Sequence, residues 1–238
     1  MKQPWYDTFF REDYARFDEH PNTSDEVAFL SEVLPENGRI LDLACGAGRH
    51  AVPLSQAGYD VIGLDRSDVL LNRANDYEST ARWVRGDVRT VPLADGCCDG
   101  VISMFSSLGY FEDEYENYHV LAEAARVLGP GGRLVIETVN VAFLVKHAPP
   151  QTWFRTGKLT VLEAREYDPV TCRSEVSVTV IDGAKRREYA HSIRLYSAAE
   201  LAMLLASIGI ETLDVYGDFD DSEMTVDSPH MILIGERT

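Results

Sequence analysis

From residue 24 to residue 140 the chain repeats one grammar: a short apolar run, then an amphipathic stretch of helical length, then another apolar run. Thr23 and Glu26 form a T-x-x-E capping box ahead of VAFLSEVL, and Pro35 with Gly38 closes that predicted helix over 24–34. RILDLA, DVIGLD, ARWVRGD, DGVISMF and GGRLVIETVN read as five strands. The helices RHAVPLSQAG, Asp68 to Tyr77, and EYENYHVLAEAARVL lie among them. Strands separated by helices of this length need right-handed crossovers, which place them in a parallel sheet covered on both faces.

After Asn140 the period changes. KLTVLEAREY, RSEVSVTVID and RREYAHSIRLYS alternate polar with apolar residues and are joined by turns at Asp168-Pro169 and Asp182-Gly183, the pattern of antiparallel hairpins. The first grammar then resumes. Ser197 and Glu200 make a second capping box, LAMLLASIG is a helix, and IETLDVYGDF and HMILIGER are the last strands. The expectation is an α/β fold: one domain over 1–238, a seven-stranded mostly parallel sheet with helices on both faces, and a β insertion over 148–196. Trp5, Tyr6, Tyr14 and Phe17 recur at helical spacing, so residues 1–35 are expected to fold as a helical lid.

Charge narrows the partners. Twenty-two basic residues against 39 acidic ones give a net charge of −17, which repels the phosphate backbone, so no stable nucleic-acid complex is expected. No apolar run approaches a membrane span, and MKQPWYDTFFREDYARF is too acidic and aromatic for a leader; the expected compartment is the cytoplasm. Cys45, Cys97, Cys98 and Cys172 lack metal-ligand spacing and read as reduced thiols; no metal is expected.

Within RILDLACGAGR, Asp42 is a carboxylate on a buried strand, costly unless something pairs with it. Gly46 and Gly48 follow it at the strand-to-helix turn, where open α/β sheets bind ligands. Asp65 ends the second strand, suited to a pair of ribose hydroxyls, and Asp87 ends the third, beside the Val88 amide, suited to an adenine edge. Three carboxylates at successive strand ends favour a cationic nucleoside over a pyrophosphate, which disfavours a nicotinamide-linked oxidoreductase.

Taken together, DLACGAG at 42–48, GLD at 63–65, GDV at 86–88, DGVISMFSSLGY and LGPGGRLVIE resemble the class I S-adenosylmethionine-dependent methyltransferases. The likeness covers roughly residues 38–138 and is nearest to bacterial small-molecule enzymes, including sugar amine and glycine N-methyltransferases, which carry β insertions after the fifth strand. One departure is Ala44, where many members have glycine. The resemblance implies a Rossmann-like sheet that binds S-adenosyl-L-methionine, with S-adenosyl-L-homocysteine as product. It implies that Asp42, Ala44, Cys45, Gly46, Gly48, Asp65, Arg66, Asp87, Val88, Met104 and Tyr14 hold the cofactor.

The acceptor is expected to be a small molecule, bound over the fourth and fifth strands. Trp153, Arg155, Arg194 and Tyr196 flank the hairpins and are its candidate contacts, an arginine suiting an anionic group. His147, His191, Tyr110 and Glu137 are the candidates for proton transfer. Two readings stay open beside this one, a methyltransferase acting on protein or RNA and a non-catalytic cofactor-binding protein. The insertion is either a pocket roof or the surface of a homodimer.

Overall fold

The computed structural model describes residues 4–17, 20 and 22–238. Its main sheet contains β1 (Arg39–Leu43), β2 (Asp60–Asp65), β3 (Arg82–Arg85), β4 (Cys98–Ser103), β5 (Leu128–Val139), β10 (Ile210–Tyr216) and β11 (His230–Arg237). Their order is β10-β11-β5-β4-β1-β2-β3, with β11 antiparallel to both neighbours and the remaining pairs parallel. Because β1 and β2 are covered on both faces, every residue after the first in each is buried, which is why they read as unbroken apolar runs. One core forms against Leu41, Leu64 and Leu134, and the other, on the opposite face, against Leu30, Ile40 and Leu54.

The second sheet holds β6 (Gln151–Thr156), β7 (Leu159–Asp168), β8 (Arg173–Asp182) and β9 (Lys185–Arg194), all antiparallel in chain order. Only one of its faces is covered. Val176, Val178 and Val180 are buried, Glu175 and Ser177, which alternate with them, are exposed, and the short helices α1 (Trp5–Phe9) and α2 (Tyr14–Phe17) pack against the buried row, the first through Phe9 and the second through Tyr14 and Phe17. Of the 1–35 stretch expected as a lid, residues 1–3, 18, 19 and 21 lie outside the described ones. No helix among the described residues is long and apolar enough to cross a membrane.

The structure departs from the sequence reading in three places. The helix α3 (Thr23–Val33) forms, but its capping box does not: Thr23 bonds back to the His20 carbonyl, and Glu26 turns inward to accept from Arg49 at 2.5 Å and His50 at 2.6 Å. The Ser197–Glu200 box is present. Unforeseen elements are the helix Val141–His147, capped by the Asn140 side chain, and β6. The latter's short run of mixed residues carries no clear alternation.

Candidate active site

A cavity of about 310 Å³ opens over the carboxyl ends of β1, β2 and β3. The turn after β1 is its floor. Ala44 sits there at φ 58°, a left-handed conformation that costs a β-carbon-bearing residue about 1 kcal/mol and explains why glycine suits this position. At Gly46, φ is 56° and an added β-carbon would meet only Leu70 at 3.9 Å, so the backbone presents an open face to the cavity. Gly48 has a different role from the expected one. It is off the cavity wall, and a β-carbon there would lie 2.7 Å from the Trp83 ring, so this glycine allows helix–sheet packing.

Asp42 lines the floor, 2% exposed, and its Oδ2 has no hydrogen-bond partner. Burial, reinforced by Asp65 and opposed by Arg49, pushes its pKa up to about 8. A buried acceptor left without a donor is the position a cationic ligand would complete. Asp65 ties two turns together, with Oδ2 accepting the Gly46 amide at 2.8 Å and Oδ1 the Ser67 amide at 2.7 Å. Burial raises its pKa, and those amides offset part of the rise.

Asp87 also lines the cavity, but its carboxylate is occupied. Oδ1 accepts from the amide and Nε of Arg89 at 3.0 and 2.9 Å, and Oδ2 from Arg89 at 2.6 Å and Arg66 at 2.9 Å. Four donors fill the acceptor sites of a carboxylate, leaving little for an adenine amine. The Arg89 bonds hold its pKa below the usual range against partial burial. Arg66 reaches across to Asp7 at 2.5 Å and lies over the Tyr6 ring, joining this edge to α1. Cys45, Val88, Met104 and Tyr14 complete the expected set on the wall. An open backbone cradle at Gly46, an orphaned buried acid at Asp42 and a buried acid at Asp65 fit the nucleoside sulfonium that the sequence resemblance implies.

A second cavity, about 1000 Å³, adjoins the first and shares Phe10, Tyr14, His20, Phe105 and Tyr110 with it. The inner face of the insertion forms one wall, with Glu163, Arg165 and His191; Glu137 and His230, from β5 and β11, stand on another. His191 lies between Trp5 and Phe9, ring centroids at 5.5 and 5.2 Å, with Nδ1 buried and unpartnered. Burial, then Arg165, push its pKa down to about 4. The N-terminal segment is clamped over both cavities. Asp13 accepts from Arg187 and from the Tyr189 hydroxyl at 2.7 Å, Arg16 reaches Asp182 at 2.8 Å, and Ser67 donates to the Phe10 carbonyl at 2.7 Å.

Of the expected acceptor contacts, only Arg155 borders the second cavity. Trp153 is 64% exposed and lies off both cavity walls. Arg194 is bound to Glu200 at 2.7 Å and Glu114 at 3.3 Å and stacks on Tyr196, whose hydroxyl donates to Glu114; this pair anchors the insertion to the body. Among the proton-transfer candidates, Tyr110, His191 and Glu137 line the second cavity, whereas His147 pairs with Asp227 at 2.5 Å away from both. His230, Glu163 and Arg165 were not singled out from sequence. For His230, the start of a terminal strand beside a β5 carboxylate was the available signal. No group of three metal-ligating side chains occurs among the described residues.

Residues 40–132 match the family model for a methyltransferase domain. The dTDP-3-amino-3,4,6-trideoxy-alpha-D-glucopyranose N,N-dimethyltransferase of Streptomyces venezuelae is 28% identical over 214 residues, 86% of this chain and 88% of that protein. The fold is shared with a methyltransferase from Streptomyces caelestis, at TM-score 0.85 and 21% identity over 100% of both chains. It is shared also with an S-adenosylmethionine-bound amino pentose methyltransferase from Micromonospora echinaspora, at TM-score 0.68 and 22% identity over 100% of this chain and 98% of that one.

Proposed function

We propose that this chain, a member of the S-adenosylmethionine-dependent methyltransferases, methylates an amine nitrogen of a small polar acceptor seated in the second cavity. The observation that carries this reading is the junction of the two cavities at Phe10, Phe105 and Tyr110, with carboxylates and histidines on the acceptor side. The relative that dimethylates an amino sugar over nearly the same length supports the choice of nitrogen.

When bound, the cofactor supplies a methyl group on a sulfonium, whose departure leaves a neutral thioether. The chain's task is then placement more than chemistry. The Asp42 carboxylate compensates positive charge at the floor, the Gly46 backbone allows close approach, and Asp65 holds the Gly46 and Ser67 turns in one geometry. Trp5, Phe10, Tyr14 and Tyr110 close over the junction, with Phe10 stacked on Tyr110 at 5.7 Å, and exclude water from it. Residues 1–35 act as the lid. The four cysteines are free thiols, which suits a cytoplasmic enzyme, and the −17 charge disfavours an RNA acceptor.

The test is incubation with S-adenosylmethionine and a panel of glycine, glucosamine and a 3-amino-3-deoxyhexose, read by mass. One or two added methyl groups, suppressed competitively against the cofactor by S-adenosylhomocysteine, are expected. Tight cofactor binding with no amine methylated would contradict the reading.

A further inference from the structure

We propose that His230 is the catalytic base that takes the proton from the acceptor's ammonium group, with Glu137 as its positioning residue; the inference rests on the amine reading above. An amine that is protonated in water has no lone pair to offer until that proton has left.

The geometry is that of a fixed donor–acceptor pair. His230 opens β11 and its ring borders the second cavity, with Nδ1 at 2.8 Å from Oε1 of Glu137. Glu137 is 4% exposed, and its other oxygen accepts the Phe105 amide at 2.5 Å. With both carboxylate oxygens accepting, Nδ1 is the donor, which leaves the lone pair of the neutral ring on Nε2. Nε2 has no hydrogen-bond partner among the described residues. The Phe219 ring packs against the imidazole at 5.2 Å and limits its rotation.

Glu137 also holds the place where the cavities meet. Phe105 and Ser106 are consecutive residues in the left-handed region, at φ 56° and 55°. That corner is fixed by the Glu137 side chain on the Phe105 amide, by the Glu137 carbonyl on the Ser106 amide at 3.1 Å, and by Ser106 Oγ accepting the Val139 amide at 3.0 Å. One residue thus orients the base and shapes the junction where the reacting nitrogen arrives, and strain concentrated at such a point is typical of working sites.

The two histidines expected from the sequence fit the task less well. The Nδ1 of His191 is buried and its pKa is near 4, too low to hold a proton at neutral pH, and His147 is paired outside the cavities. For His230 burial opposes the charge, but Glu137 first, and Asp218 and Glu26 beyond it, outweigh burial and raise its pKa. In the step itself the ammonium proton passes to Nε2, and the freed nitrogen pair forms the N–CH₃ bond as the S–CH₃ bonding pair returns to sulfur. The imidazolium then releases its proton to solvent.

Two measurements test this. Nitrogen-15 spectra of the protein bound to S-adenosylhomocysteine should show neutral His230 protonated on Nδ1, and Glu137→Gln should lower its titration midpoint. With whichever panel amine the wild type methylates, His230→Gln should lower kcat about a hundredfold while cofactor affinity stays within twofold. The deficit should shrink as pH rises toward the amine's own pKa. An Nε2-protonated neutral ring, or a His230→Gln variant with unchanged kcat and pH profile, would overturn the inference and leave the amine reading standing. A wild type that binds cofactor but methylates no amine would overturn both.

Discussion

The seven-stranded sheet and the four-stranded sheet build their sites by opposite means. In the first, Asp42 and Asp65 sit on adjacent strands, and the Gly46 amide, at the turn that follows Asp42, donates to Asp65 at 2.8 Å, so backbone order alone places the chemistry. In the second, the cavity needs Phe9 from α1, Glu163 and Arg165 from β7 and His191 from β9, and on its other wall His230 from β11 of the larger sheet, residues more than 200 positions apart in the chain. On the proposed reading, the difference makes cofactor recognition local and acceptor recognition tertiary, so the latter can change while the former is kept. The N-terminal segment is the exception, since Phe10 and Tyr14 belong to both cavities.

The largest expected effect falls on the first region. Gly46→Val should abolish measurable cofactor binding, because the side chain would enter the cavity, and the left-handed φ should cost the fold only about 1–2 kcal/mol. Calorimetric titration together with thermal unfolding checks both halves of that statement. Asp42→Asn is next. Loss of a charged partner for a cationic ligand should weaken S-adenosylmethionine by about 1.5–3 kcal/mol, roughly 10- to 150-fold. The same change should alter the pH dependence of stability. With a folded pKa of about 8 above the ordinary 3.8, Asp42 gives stability that is whole below about pH 4 and is lost as pH rises through 8. In the asparagine variant that loss should vanish, and denaturant midpoints of the ligand-free protein at pH 6 and pH 9 should converge.

These expectations rest on features that were legible in the sequence, and it is instructive which ones were. Asp65 could be placed because both-face burial leaves β2 an apolar run that ends in a single acid, and Asp42 stands one residue before the end of a similarly buried strand; Asp87 lies two residues past β3, whose residues are only half-buried or exposed, and it was found from its GDV turn instead. What those runs could not show was that Asp87 is filled by Arg66 and Arg89, a matter of side chains meeting across two turns. Gly48 looked like a ligand contact because its spacing from Gly46 fits the motif, yet only the fold brings Trp83 beneath it. Arg194 and Tyr196 were sited near the hairpins correctly but turned toward Glu114 and Glu200, and nothing in a period-two pattern tells which carboxylate a long cation will find. His230 was missed because its partner lies 93 positions away.

Smaller effects sharpen the comparison from the other side. Asp13→Ala removes the acceptor shared by Arg187 and Tyr189, loosening the N-terminal segment from the insertion. Cofactor affinity should fall less than tenfold and methyl transfer more than tenfold, with faster proteolysis near residues 9–17. The smallest effect is one of pH. His191 has a folded pKa of about 4, below the ordinary 6.5, so its contribution to stability is present above about pH 6.5 and is lost as pH falls toward 4. Fluorescence of Trp5, whose ring meets His191, should report loosening in that window, and His191→Phe should remove it.

The division itself is tested most directly by hydrogen exchange of the whole protein with and without S-adenosylhomocysteine. The account predicts new protection over residues 42–48, 65–67 and 86–88 and over the segment around Phe10 and Tyr14, with strands β6 to β8 unchanged. Protection concentrated in β6 to β8, with residues 42–48 unaffected, would contradict it.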